Sequence, residues 1–188
     1  MSNSAKTGMD FQFTVLRDVL MKPAGFLAGM VILLFSGCNS ELGPIQGQSG
    51  FGGIIRFRNW PSADSVHDMR LVVFETYPSD SAGILATLLA GHGAVYPAIG
   101  TKFPSFVDSL PYAFTTTDGT NLQVRSYEYV IVAQQFGPNV LADWRPVGVY
   151  AAAPGSFVPA PLRVILHHVL TGIDIDVDFR NPPPKPWR

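Results

Sequence analysis

Cys38 carries the only sulfhydryl among 188 residues, and two small residues, Ser36 and Gly37, stand directly before it. A thiolate is a good nucleophile, and small neighbours let an enzyme come close to the backbone. Few other groups are spaced for chemistry. Asp174, Asp176 and Asp178 alternate along the last apolar segment and suggest a metal cluster. On a strand, however, successive same-face residues stand about 6.5–7 Å apart. That is too far for three carboxylates to hold one ion at about 2.4 Å. These residues suit a solvated face that also discourages edge-to-edge pairing. The neighbours His167 and His168 would point to opposite faces, and His67 and His92 stand alone in loops. Zinc requires three or four converging ligands, so no metal or other cofactor is expected. Serines are plentiful, but no Gly-x-Ser-x-Gly elbow occurs, and Asp143 and His167 make a triad only by contrived folding. The chain is expected not to be an enzyme.

The remaining candidates are aromatic. Trp60, Trp144 and Tyr150, with Tyr77, Tyr96 and Phe136, fall near the ends of predicted strands. Two or three exposed rings in one plane would stack on sugar C–H faces and make a ligand platform. Core and rim packing accounts for the same residues and is preferred, since large aromatics supply much of a sandwich's buried area.

Around Cys38 the sequence has the shape of a targeting segment. Gly25 to Phe35 is apolar, with Lys22, Arg17 and Lys6 upstream and polar Asn39-Ser40 after the cysteine. A membrane-spanning helix needs about 20 apolar residues, so this run matches a signal-peptide core with a charged flank. A buried cysteine in a short core helix is the alternative. Phe35-Ser36-Gly37-Cys38 resembles the bacterial lipobox, in which a large apolar residue and two small ones precede the lipidated cysteine. The resemblance implies cleavage before Cys38, a diacylglyceryl group on its sulfur and attachment to a membrane through that lipid. By the same sorting pattern Asn39, unlike an aspartate, implies the cell outer membrane. Met21 begins a compact signal of its own, so translation starts at Met1 or Met21, and Phe11 to Phe35 is expected to be helical with a break near Pro23.

The expected organisation is a signal peptide over 1–37, a flexible tether over 38–50, a folded domain over 51–180 and a proline-rich tail over 181–188. Removing residues 1–37 takes away three of the 13 basic and two of the 14 acidic residues, leaving a net charge of −2. A surface without a basic field gathers no nucleic acid. With its one cysteine committed to lipid, the domain has none for disulfides. The 16 prolines and 18 glycines suit short strands joined by turns better than a helical bundle.

Alternation places the strands. In Phe51 to Trp60, Ile55 and Phe57 face one way and Arg56 and Arg58 the other. Arg70 to Tyr77 is apolar on both sides and therefore central. Ile84, Leu85, Leu88 and Leu89 recur at helical spacing behind Ser79 and Asp80, which argues a short helix ended by Gly91. The same residues also fit a strand leading into GHGAVYP, and residues 80–90 stay open between the two. Leu110 to Thr116 is a strand stopped by Asp118-Gly119, and Arg125 to Phe136 is the longest. Trp144 to Tyr150 contains Pro146, which confines it to an edge or a bulge. Leu162 to Leu166 and Ile173 to Phe179 flank a short connection, and in the second Ile173, Ile175, Val177 and Phe179 alternate with the three aspartates. Six or seven strands with turn signals between them predict an all-β antiparallel sandwich.

LRVILHHVLTGIDIDVDF is similar to the closing hairpin of carboxypeptidase-regulatory-like and transthyretin-like domains, and SYEYVIVAQQ resembles that family's strand following a turn. The resemblance implies a seven-stranded prealbumin-like sandwich without catalysis and carries no functional residue across. Together with the lipobox it gives an expected envelope lipoprotein that meets a protein or a glycan. The alternative is a carbohydrate-binding domain serving polysaccharide uptake.

Overall fold

The computed structural model describes residues 47–78 and 80–186. Their fold is all-β with one short α-helix. The strands are β1 (Gly50–Arg58), β2 (Asp68–Phe74), β3 (Gly93–Tyr96), β4 (Ser109–Thr115), β5 (Ser126–Tyr127), β6 (Tyr129–Gln135), β7 (Trp144–Val149), β8 (Leu162–Arg163), β9 (Val169–Leu170) and β10 (Ile175–Asp178). A single 3-10 turn covers Ala63–Ser65, and α1 covers Ser81–Leu89. Residues 80–90, which the sequence leaves open, are therefore helical, with the Asp80 side chain accepting from Gly83 N–H at the first turn.

The main sheet runs β3-β2-β6-β7-β10-β1-β4, with β9 also on β1, and β5 pairs with β8 in a small second sheet. Most pairs are antiparallel, but β1 runs parallel to β10 and to β9. The main sheet curls, because rings from its two edge strands meet. Tyr96 of β3 lies 6.3 Å from Tyr112 and 5.4 Å from Phe114 of β4. Inside the curl, Phe51, Ile55, Leu71, Val73, Phe114, Val130, Val132, Ile175 and Val177 form the principal core, and Tyr127, Leu162 and Val164 from the second sheet region pack onto it.

Period-two patterning explains why β2 and β6 occupy the middle. Leu71 and Val73 point into the curl while Val72 and Phe74 point out, and Val130 and Val132 alternate in the same way with Tyr129, Ile131 and Ala133. The outer set forms a second apolar cluster on which Ile84 and Leu88 of α1 rest.

Two local expectations change, and a third is settled between its alternatives. The Arg125 to Phe136 segment breaks at Glu128, whose N–H bonds to Phe74 O, into β5 and β6. Pro146, confined by its sequence to an edge or a bulge, takes the bulge, within an interior strand. It is tolerated because it pairs with Ala133 across a bulge between Val132 and Ala133. The two final segments do not form a hairpin. β8 pairs with β5, whereas β10 inserts between β7 and β1.

Strand directions give the body two distinct ends. β1 and β6 begin, and β2, β4 and β7 finish, at the end where the chain enters at Gly47. The β6–β7 connection, Trp60 and the C-terminal tail lie at the other end.

Candidate functional site

The three aspartates form one side of a charged ladder. Asp174 accepts from Ile54 N–H at 2.9 Å and from the Arg56 guanidinium at 2.8 Å. Asp176 lies 3.9 Å from Arg58, and Asp178 accepts from Asn59 Nδ2 and from Arg180 N–H. Ile54 N–H and the Arg56 side chain hold the Asp174 carboxyl below its ordinary range, and Asn59 does the same for Asp178. The parallel register of β1 on β10 sets Arg56 opposite Asp176 and Arg58 opposite Asp178. The apolar partners Ile175 and Val177 are fully buried, so the ladder is the outward half of the alternation. Beside it the loop from Ala151 to Phe157 rises to form one wall of a groove of about 430 Å³. Its floor offers planar guanidinium and carboxylate groups, and Phe157 at its rim is partly exposed. Among the described residues no group of three or more His, Cys, Asp or Glu is arranged to hold a metal ion.

The three platform candidates are not brought together. Trp60 stacks within 4.9 Å of Phe57, 4.9 Å of Phe106 and 4.5 Å of Phe179, and its indole N–H donates to Val107 O. Tyr150 packs against the same inner core, while Trp144 packs against the outer cluster and donates to Val140 O. All three are partly buried, and none stacks on another.

The histidines separate as well. His167 lies beside the chain entry, with Nδ1 3.2 Å from Gly47 O, whereas Asp143 belongs to the β6–β7 connection at the far end, where its side chain accepts from Asn139 N–H. His92, read from sequence as isolated, instead meets Glu75 at 3.2 Å, and Glu75 also receives Arg125. Arg125 in turn reaches Gln123. This cluster joins residues 50 positions apart, and no local sequence signal announces it. The cluster ties these three segments together.

A second, apolar groove of about 220 Å³ opens on the outer sheet face between α1 and the β6–β7 connection, lined by Val72, Ile131, Leu85, Leu88, Leu141 and Trp144 among others. Cys38 and its neighbours Phe35, Ser36 and Gly37, the signal segment 1–37 and most of the tether lie outside the described residues. Within the described part, residues 47–49 already belong to the folded body: Ser49 O accepts from Thr116 N–H and its hydroxyl accepts from His167 N–H. No protein-family model matches the chain, and neither a curated protein nor a solved structure matches it.

Proposed function

We propose that this chain is a cell-envelope lipoprotein, held at the outer membrane by lipid on Cys38, whose β-sandwich is a non-catalytic binding or structural module. The observation that carries the proposal is Phe35-Ser36-Gly37-Cys38 at the end of an apolar run too short to span a bilayer. The start of the described body supports it: Gly47, Ser49 and Gly50 already bond to the fold, and Gly47 is only nine residues beyond Cys38 in sequence. Two acyl chains on the cysteine and one on its amine exceed the single signal that gives only reversible attachment.

Mass spectrometry of the mature N-terminus from native membranes tests the proposal. A triacylated Cys38 is expected in the wild type and an unprocessed, soluble-extractable chain in Cys38→Ala. A wild-type chain that is uncleaved and carries no lipid overturns it.

The charged groove favours a second reading, a carbohydrate-binding domain. Planar guanidinium and carboxylate groups form paired hydrogen bonds with vicinal hydroxyls, and Phe157 offers a ring at the rim. Glycan-array binding that disappears in Arg58→Ala supports this reading. Absence of binding to any polysaccharide in the wild type removes it.

A further inference from the structure

The end of the body where the chain enters carries a small apolar tip. Val164 N–H donates to Arg125 O, continuing the β5–β8 pairing, and the chain then turns back through residues 165–168, with His168 N–H reaching Ile165 O at 3.3 Å. His167, in the left-handed region at φ 56°, completes the reversal. Two aliphatic side chains in succession stand out from this turn, Ile165 at 45% and Leu166 at 60% exposure, and Val124, one step beyond the Arg125 to Val164 bond, is 45% exposed. None of them contributes to either apolar cluster.

The turn is fastened to the first residues of the body. Gly50 N–H donates to His168 O at 3.0 Å, His167 N–H to the Ser49 hydroxyl at 2.8 Å, and His167 Nδ1 lies 3.2 Å from Gly47 O. Whatever holds residue 38 therefore holds this tip nearby. Nine residue steps separate Cys38 from Gly47, and a chain extends by at most about 3.5 Å per residue, so Gly47, to which the turn is fastened, stays within roughly 32 Å of residue 38. The far end of the body lies a further strand length away. The nine residues of β1 add about 30 Å.

We propose that Ile165, Leu166 and Val124 form a membrane-contacting tip that enters the headgroup region of the bilayer in which Cys38 is anchored. The inference rests on the lipoprotein reading above. A bilayer fits these residues better than a protein groove because only nine residues join Gly47, to which the turn is bonded, to Cys38, so this is the end of the body that the anchor brings within reach of the lipid surface. Contact by the tip adds a second attachment and sets the body upright, where lipid alone would leave it free to tumble.

The test uses the processed, membrane-extracted protein reconstituted in vesicles of phosphatidylethanolamine and phosphatidylglycerol. Lipidation blocks the Cys38 thiol, so Leu166→Cys or, as a far-end control, Leu141→Cys supplies one labelling site for an environment-sensitive fluorophore. Leu141 is 73% exposed and both changes lie on the surface, so folding is checked by circular dichroism alone. The expected result is blue-shifted emission from position 166, quenched by lipids carrying a nitroxide near the headgroup, with neither effect at position 141. Acylated protein in which the two probes behave alike overturns the tip and leaves the anchor standing. A blue shift at 166 that depends on protein density and ignores the nitroxide assigns the tip to a second copy or another protein and also overturns it. Protein with two labels per chain and no acyl mass overturns the lipoprotein reading, and the tip inference falls with it.

Discussion

Replacing Tyr112 with phenylalanine removes one oxygen from the place where the edge strand is secured to the chain entering β10. The Tyr112 hydroxyl donates to Ile173 O at 2.7 Å, and the residue is only 6% exposed, with its ring edge-on to Phe51 at 6.0 Å. Phenylalanine keeps the ring and its packing, so the cost is confined to the hydrogen bond. A buried carbonyl left without its donor costs about 1–3 kcal/mol. At neutral pH the variant should therefore unfold at lower urea with an unchanged denaturant slope. Alkaline pH supplies an internal check. Burial, with lesser contributions from the charges of Asp174 and Tyr150, raises the Tyr112 pKa above its ordinary value. A group whose pKa is higher in the folded state contributes its full stability below its unfolded pKa and loses it as pH rises past that value. With an unfolded tyrosine pKa near 10, the wild type should have lost about 1.4 kcal/mol through this residue at pH 11. Tyr129, Tyr127 and Tyr96 are shifted upward too, but they are present in both proteins and cancel. The stability gap between Tyr112→Phe and wild type should thus narrow from pH 8 to pH 11. Equal midpoints at pH 8, or a gap that stays constant to pH 11, would refute the reasoning.

Two further outcomes follow from neighbouring residues. Gly53 stands opposite Tyr112 in the β1–β4 register, and a Cβ there would lie 2.3 Å from Ile173 O. Gly53→Ala should destabilise by about 1–3 kcal/mol or more, since backbone and not a flexible side chain must move. Gly155→Ala, with nothing within 4 Å, should lose only the roughly 1–2 kcal/mol of a left-handed backbone. Thermal unfolding of the pair tests the order. Asp174 has a pKa lowered in the folded state, so its contribution is present above the ordinary carboxylate pKa and is lost as pH falls below it. Asp174→Asn should cost about 1 kcal/mol or less at neutral pH, given its exposure, and should flatten the decline in stability between pH 4 and pH 2. An acid limb identical to wild type would count against the ladder.

What the sequence disclosed and what it withheld follow from what periodicity can report. Alternation names the face a residue takes, and it placed Ile55, Phe57, Ile175 and Val177 inward with Arg56, Arg58 and the aspartates outward, as the structure has them. It does not name the neighbouring strand. Leu162 to Leu166 and Ile173 to Phe179 are adjacent in sequence and look like a hairpin, yet β10 finds β1, 120 residues earlier, in parallel register. The Arg56–Asp174 and Arg58–Asp176 pairs follow from that pairing and were therefore as illegible as the pairing itself. Glu75, His92 and Arg125 meet for the same kind of reason, through the approach of three segments remote in sequence. Pro146 was legible as an edge or bulge residue, and the structure selects the bulge. A missing N–H bars proline from a regular interior ladder, but one bulge in β6 removes the demand for that hydrogen bond.

The placement of the charged ladder bears on both functional readings. The groove runs along the strands of β1, β7 and β10 on the outer flank, between the loop at Ala151 to Phe157 and Asn181 near the far end. A body resting on the Ile165-Leu166 tip would hold these strands close to the membrane normal, with the Ala151 to Phe157 wall, which follows β7, toward the membrane end and Asn181 away from it. A long polymer could then lie along the ladder and meet the Arg56–Asp174 and Arg58–Asp176 pairs in succession, about one strand repeat of roughly 6.5–7 Å apart. A body tumbling on its tether would present the same groups without a fixed orientation. If the groove binds glycan at all, disrupting the tip should therefore weaken binding to surface-immobilised polymer while leaving the affinity for a short soluble oligosaccharide unchanged. That difference would separate a module that is oriented by its membrane from one that is merely tied to it.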